Sequence, residues 1–280
     1  REDGMKRLRL RYAGTCRLCG RSLDAGAEAF YDPQLRSVQC VACPVGPADA
    51  QVEGEAPMDP GPADAGQAGA SAEREYGRRV TRRKARVEDR FGRRLGGVLL
   101  ALGGEPQTTR AWAKGAAGEQ ELGAALADVT GIGLLHDRRV PGTRGNIDHL
   151  VIASTGVFVV DAKRHSGLIR IRDVGGLLRS DERLYVGRRD CSHLAEGMGW
   201  QVEAVASALA AAGIEPLPAI VPVLCFVDGE WPLIRRPEGY RGVRLEGPRS
   251  LKRLITREVL LDAEAIDRLT RLLAVALPPK

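Results

Sequence analysis

Aromatic residues and long apolar runs are what this 280-residue sequence has least of. Aromatics make up 4% of the chain, although hydrophobic residues as a group make up 44%. No apolar stretch reaches the roughly 18 residues of a membrane-spanning helix, so we predict no transmembrane segment and no membrane partner. The opening residues, Arg1-Glu2-Asp3-Gly4, lack the apolar core of a signal peptide, and we therefore expect a cytoplasmic protein. The formal net charge of +6 permits a polyanionic partner without requiring one.

The cysteines are few and unevenly spaced. Four of the six form two C-x-x-C motifs, namely Cys16 with Cys19 and Cys40 with Cys43. Two such motifs about twenty residues apart are typical of a tetrahedral four-cysteine zinc site; a pair of disulfides would need an oxidising compartment. We predict a zinc ribbon over residues 12–44, in which extended runs at 28–31 and 36–39 form a hairpin. Its zinc would be structural, because thiolates fill all four ligand positions.

A change of composition separates this module from the rest. Residues 45–76 are rich in Ala, Gly, Pro and Asp without apolar periodicity, and we predict a disordered linker. Residues 77–102 carry many arginines. Apolar residues recur among them at roughly helical spacing, at Val80, Val87, Phe91 and Leu95, and this pattern predicts a basic amphipathic helix with an apolar stripe. Either this helix contacts phosphates or its charges are simply solvated. The candidate phosphate-binding residues are Arg82, Arg83, Lys84 and Arg86.

Residues 110–280 have the patterning of an α/β domain. Two apolar, β-branched runs at 146–153 and 156–162 flank the turn signal Ser154-Thr155, and they predict a β-hairpin. Strand periodicity puts Asp161 and Lys163 on one face, and the hairpin register sets Asp148 opposite Asp161. The sequence therefore predicts two carboxylates and a lysine on one patch.

This trio is suited to metal-assisted chemistry. Carboxylates beside apolar strands are costly unless they are paired or bound to a cation, and Mg²⁺ takes oxygen ligands. Such an ion polarises a phosphodiester and promotes hydroxide formation, while Lys163 would orient or deprotonate the water or stabilise the transition state. A structural Asp–Lys ion pair at a strand end is the competing interpretation.

A fourth acid, Glu119, precedes the apolar stripe of a helix predicted at 115–126. Glycines at 115 and 118 would let that helix pack closely on the sheet and aim Glu119 at the same edge. Taken alone, Glu119 is better explained as a favourable acid near a helix N-terminus.

These motifs together resemble the nuclease-related domain, NERD, of the PD-(D/E)XK nuclease superfamily. The resemblance covers roughly residues 111–230 and rests on three ordered motifs: Gly115-x-x-Gly118-Glu119, Ile147-Asp148-His149-Leu150-Val151, and Gly156-Val157-Phe158-Val159-Val160-Asp161-Ala162-Lys163, followed by Ser166-Gly167. It implies a restriction-endonuclease-like α/β fold, a mixed sheet flanked by helices. Asp161 stands where many members of the family have Glu, and either residue can bind metal.

The resemblance also implies roles for single residues. Glu119, Asp148 and Asp161 would bind Mg²⁺ or Mn²⁺, and Lys163 would assist the attacking water or the transition state. Gln201 matches a glutamine that such domains often carry near the site, although a polar residue at a helix start explains it as well. We therefore expect a metal-dependent nuclease that acts on DNA or, alternatively, RNA. The rival is a non-catalytic nucleic-acid-binding or protein adaptor on the same fold.

Overall fold

The fold is given by a computed structural model that describes residues 6–11, 13–16, 22–32, 37–41, 63–102, 104, 106–176, 179–257 and 260–280. Two units emerge from the pattern of contacts, Arg1–Met58 and Asp59–Lys280. In the described parts of the chain, no helix combines the length and the apolar character that crossing a membrane requires.

The N-terminal unit is built from short antiparallel strands. They are β1 (Lys6–Arg9), β2 (Gly14–Thr15), β3 (Ser22–Leu23), β4 (Glu28–Asp32) and β5 (Ser37–Cys40). Strand β4 pairs with both β1 and β5, and β2 pairs with β3. The hairpin predicted at 28–31 and 36–39 is therefore confirmed.

This hairpin brings one cysteine of each C-x-x-C motif together. Cys16 and Cys40 are both buried, and the Cys40 amide donates to the Cys16 sulfur over 3.3 Å. Cys19 and Cys43 lie outside the described residues. Over the residues that are described, no group of three or more His, Cys, Asp or Glu side chains could hold a metal. The four-cysteine zinc site stays a prediction.

The second unit is a mixed α/β domain, which confirms the predicted fold class. Its helices are α1 (Ala70–Leu102), α2 (Gln107–Ala127), α3 (His193–Glu196), α4 (Gly199–Ala211), α5 (Pro248–Ile255) and α6 (Ala263–Ala276). Its strands are β6 (Gly133–Arg139), β7 (Asn146–Ala153), β8 (Gly156–Lys163), β9 (Gly167–Asp173), β10 (Glu182–Val186), β11 (Arg189–Asp190), β12 (Ile220–Phe226), β13 (Gly229–Glu230), β14 (Gly239–Tyr240) and β15 (Val243–Glu246).

Among the described residues, the main sheet has six strands in the order β14-β15-β12-β8-β7-β6. Strands β8, β12 and β15 run parallel, whereas β6, β7 and β8 are joined antiparallel. Side chains of β7 and β8 alternate between two apolar cores. Leu150 and Val159 belong to the core that includes residues of α4 and α6, and Val151 and Phe158 to the core that includes residues of α2 and α5. The sheet is thus covered by helices on both faces, an arrangement compatible with a nuclease-like fold.

The turn between β7 and β8 requires glycine at its end. Gly156 has a φ of +135°, and a Cβ there would lie 2.6 Å from the carbonyl oxygen of Ala219. A side chain would therefore be strained and would also clash with backbone. This turn fixes the register that carries the candidate site.

The start of this unit differs from the predicted boundaries. The predicted domain began at residue 110, the basic helix at 77, and the linker ended at 76, whereas the unit starts at Asp59 and α1 at Ala70. The backbone pairs with β6 before the helix, since the His136 amide donates to the Ala65 carbonyl over 2.7 Å. Asp137 then accepts the Ser71 amide over 2.7 Å and so satisfies a donor at the start of α1. Composition alone does not reveal such contacts.

The predicted apolar stripe of α1 does not form a buried face. Phe91 is 45% and Leu95 67% exposed. Gly92 interrupts the helix with a φ of +74° and a ψ of +162°, so the residues on its two sides do not share one continuous helical face.

Candidate active site

The register of the β7–β8 hairpin brings Asp148 and Asp161 together, as the sequence predicts. The regular pairs run from Ala153–Gly156 to His149–Val160, and the two aspartates are the next residues along. The two carboxyl groups are close enough for Asp161 to raise the pKa of Asp148. An oxygen contact fixes Asp148, whose Oδ2 accepts the Ala162 amide over 3.1 Å.

Lys163 shares this patch. Its ammonium group forms an ion pair and hydrogen bond with Asp161, which two-residue strand periodicity allows. Burial by itself lowers the pKa of Lys163, but the carboxylates of Asp161, Asp148 and Glu119 outweigh it and raise the pKa above its ordinary value. Lys163 is therefore a fixed cation at neutral pH.

Glu119 reaches the same patch from helix α2. It is only 8% exposed, and its Oε2 has no hydrogen-bond partner among the described residues. Burial is the largest cause that raises its pKa to about 7, with Asp137 and Asp161 adding repulsion and Lys163 opposing them. A buried, unpartnered carboxylate oxygen is costly and is well suited to accept a cation.

The two helix glycines behave differently. A Cβ at Gly118 would lie 3.0 Å from the Cβ of Arg164, whereas nothing lies within 4 Å of one at Gly115. Close packing of α2 against the residue that follows β8 thus depends on Gly118. The packing role predicted for Gly115 is wrong.

The surroundings of Asp148 disfavour the ionised form of its carboxyl group. Burial first, then Asp161 and Glu119, raise its pKa well above the ordinary range, and Lys163 opposes the shift. Three carboxyl groups therefore surround a single ammonium group. Such a cluster carries more potential negative charge than its own lysine neutralises, and an added divalent cation would relieve the repulsion.

The side chains of Glu119, Asp148 and Asp161 suit a hard divalent cation, because all three offer carboxylate oxygens as ligands. The Oε2 of Glu119 has no hydrogen-bond partner among the described residues. Within the described ranges, however, no three acidic, histidine or cysteine side chains already stand as a metal-binding group. Asp161 forms an ion pair with Lys163, and Asp148 accepts a hydrogen bond from a backbone amide. Binding of Mg²⁺ or Mn²⁺ here stays a prediction.

A cleft of about 600 Å³ opens beside Glu119 and Lys163. Its other charged or titratable lining residues are Arg110, Lys114, Arg164, His165 and Arg189. Arg164 pairs with Asp228 at 3.0 Å and with Glu121 at 3.5 Å. For Arg110, Lys114 and Arg189 the described residues provide no salt bridge. The acidic patch thus lies at the edge of a basic cleft, which suits a phosphate-containing ligand.

The remaining predicted site residues do not join this cluster. Gln201 is buried in α4, where its Nε2 donates to the Gly197 carbonyl over 3.5 Å and its Oε1 is unpartnered among the described residues. It does not line the cleft. Arg82, Arg83, Lys84 and Arg86 lie on α1 and do not line it either.

The basic side chains that line the cleft, Arg110, Lys114 and Arg189, were not predicted from the sequence. Helix α2 begins at Gln107 rather than at 115, and its first turns carry Arg110 and Lys114 at the i, i+4 spacing that puts both on one face. Pro106 at the helix start is a recognised signal that would have extended the prediction. Arg189 gives no comparable local signal, because a separate sheet brings it there.

A buried histidine pair lies across β6 and β7. The Nδ1 atoms of His136 and His149 are 2.7 Å apart, and the Nε2 of His149 lacks a described partner. Burial, and then His136, lower the pKa of His149 to about 3. Both rings are therefore neutral at pH 7.

Residues 114–227 match the family model of the nuclease-related domain, NERD. The match includes the four residues of the candidate site and indicates a nuclease-related function. Comparison with curated proteins and with solved structures gives no match.

Proposed function

We propose that residues 59–280 form a metal-dependent nuclease that hydrolyses phosphodiester bonds, with DNA as the first candidate substrate and RNA as the second. One observation carries the proposal: Glu119, Asp148 and Asp161 converge on Lys163 at the edge of a basic cleft. The family match over residues 114–227 supports the reaction class.

The three acids would hold Mg²⁺ or Mn²⁺. The bound ion would polarise the phosphodiester and lower the pKa of a water molecule. The unpartnered Oε2 of Glu119 supports its part in this ligand set, because ligation would satisfy a buried oxygen that otherwise has no described partner.

Lys163 would assist the attacking water or the transition state. Its ion pair with Asp161 supports a position beside the proposed metal ligands. A protonated lysine donates hydrogen bonds to the attacking water or to the phosphoryl oxygens, and it stabilises the negative charge that develops in the transition state.

The cations of the cleft would hold the substrate. Arg110, Lys114 and Arg189 have no described carboxylate partner, so binding a phosphate would not break an existing ion pair. Neutralising several phosphates gives salt-dependent, sequence-independent affinity. The non-catalytic adaptor would need the same cations but would have no use for the acids.

Cleavage assays with plasmid, single-stranded DNA and RNA, each with Mg²⁺, Mn²⁺ or EDTA, test this function. We expect divalent-dependent cutting by the wild type and a loss of about 100-fold or more in Asp161→Ala and Lys163→Ala. Asp128→Asn is a matched control, because its side chain is 77% exposed and pairs only with Lys252 among the described residues. Equal cutting by the wild type and both site variants would refute the assignment and favour the adaptor.

A further inference from the structure

Trp112 is an exposed aromatic residue at the meeting point of two clefts. It lies in the second turn of α2 with 40% of its surface exposed. It lines the cleft that contains Glu119 and Lys163, and it also lines a neighbouring cleft of about 340 Å³. Aromatic residues make up 4% of the chain, and this one is partly exposed to solvent beside the candidate active site, where a ligand could contact it.

Arg79 contacts the ring of Trp112. The guanidinium of Arg79 lies 5.5 Å from the centroid of the Trp112 ring, and the same guanidinium pairs with Glu75 at 2.7 Å. This cation–π contact links α1 to α2 and orients the indole. The exposed part of the indole remains available for a further contact.

Cations lie on both sides of Trp112. The larger cleft contributes Arg110, Lys114 and Arg189, and the smaller one Arg74, Arg78 and Lys280. Glu75 is the acidic residue of the smaller cleft, and Arg78 pairs with it at 2.6 Å, while Arg74 pairs with Asp137 at 3.4 Å. A chain with regularly spaced negative charges could therefore follow one basic path past the ring.

We propose that Trp112 is a stacking platform for an unpaired base of a single-stranded nucleic acid whose backbone runs from the smaller cleft to the Glu119–Lys163 cleft. This inference rests on the proposed nuclease function and names its substrate class. A planar aromatic ring flanked by cations is the combination that binds single strands, since every base has a π-face that can stack. In a duplex the bases stack on one another, so their faces are not available to the ring.

Binding measured without cleavage tests the inference. Fluorescence anisotropy in EDTA would compare wild type, Trp112→Ala and Trp112→Phe on labelled single-stranded DNA, single-stranded RNA and duplex DNA. Trp112→Ala should weaken single-strand binding about tenfold, whereas Trp112→Phe, which keeps a π-face, should retain most of it. Duplex binding should change little. The polymer with the larger loss, DNA or RNA, identifies the strand that the ring contacts.

Trp200→Ala is the matched control. Trp200 is 39% exposed, nearly as much as Trp112, but it lines neither of the two clefts. Its removal should leave single-strand binding unchanged. If Trp112→Ala melts at a lower temperature than the wild type, Trp112→Phe and a Trp112→Leu variant, which fills the space without an aromatic face, decide the question. Binding retained by Phe and lost by Leu supports stacking.

Two results would overturn the inference. Single-strand affinity that is unchanged in Trp112→Ala excludes stacking, and equal losses on single-stranded and duplex DNA reduce Trp112 to a packing residue. The proposed function fails separately. If the wild type cuts DNA but Trp112→Ala binds normally, only the stacking role is wrong. If Trp112→Ala loses single-strand binding but the wild type cuts nothing, only the nuclease assignment is wrong.

Discussion

Replacing Glu119 with glutamine tests the electrostatic state of the candidate site independently of any substrate. Burial and neighbouring acids raise the pKa of Glu119 from 4.5 to about 7 in the folded protein. Between these two values the folded state binds its proton more tightly than the unfolded state does. The stability contributed by this group is therefore greatest at low pH and falls as the pH rises from 4.5 through 7.

The size of the effect follows from the shift. A displacement of about 2.5 pKa units corresponds to about 3 kcal/mol at 1.36 kcal/mol per unit. Glutamine stays neutral throughout, so Glu119→Gln avoids the cost of an ionised buried carboxyl. Relative to the wild type, the variant should gain about 2–3 kcal/mol of unfolding free energy between pH 5 and pH 8.5 in the absence of divalent cations.

Urea unfolding followed by tryptophan fluorescence in EDTA measures this difference. Glu121→Gln is the control, because it lies on the same helix with its side chain 54% exposed, and its difference from the wild type should vary little with pH. A pH-independent difference for Glu119→Gln, or one that shrinks as the pH rises, would refute the reasoning. Added Mg²⁺ at pH 8.5 should narrow the difference, because a ligand that binds the folded wild type stabilises it.

Other perturbations have equally definite outcomes. Because the pKa of His149 falls from 6.5 to about 3 on folding, its stabilising contribution is lost as the pH drops below 6.5; melting curves at pH 7.5 and 4.5 should show less acid sensitivity in His149→Gln, and equal sensitivity would contradict this. Arg138 is fully buried and donates to the backbone carbonyls of residues 64, 274 and 277, so Arg138→Met should cost about 3–5 kcal/mol in urea unfolding. Arg271→Ala, which removes a surface ion pair, should cost under about 1 kcal/mol. Similar costs for the two variants would contradict a stabilising role for the buried hydrogen bonds of Arg138. A Cβ at Gly123 would lie 2.7 Å from a side-chain carbon, whereas one at Gly115 meets nothing within 4 Å; Gly123→Ala should therefore lose about 1–3 kcal/mol and Gly115→Ala gain up to about 1 kcal/mol, and the reverse order would be a failure of the packing argument.

The β7–β8 hairpin that carries the site was predictable because two features of its sequence together determine how the strands pair. Apolar runs set the extent of β7 and β8, and the turn at Ser154-Thr155 sets which residues face each other. Strand periodicity then places Asp161 and Lys163 on one face. These are local rules, and local rules suffice for Asp148, Asp161 and Lys163.

Other features depend on contacts that are distant in sequence. Glu119 joins the cluster through the packing of α2 on β8, for which Gly118 and the family motif were the sequence signals. Arg189 reaches the cleft from a separate sheet, and α1 begins early because Asp137, on β6, accepts its Ser71 amide. The exposure of Phe91 has the same cause, since amphipathic spacing predicts a helix but not what covers its apolar face.

The most direct test of the central claim is a double-mutant cycle. It compares the rates at which the wild type, Asp161→Ala, Lys163→Ala and the double variant cleave one DNA substrate in Mg²⁺. If the two residues act as one unit on the reacting phosphodiester, each single variant should lose about 100-fold or more, and the double variant should fall little further. Losses that multiply in the double variant would contradict action as a unit. Rates that equal the wild type in all three would contradict the nuclease assignment itself.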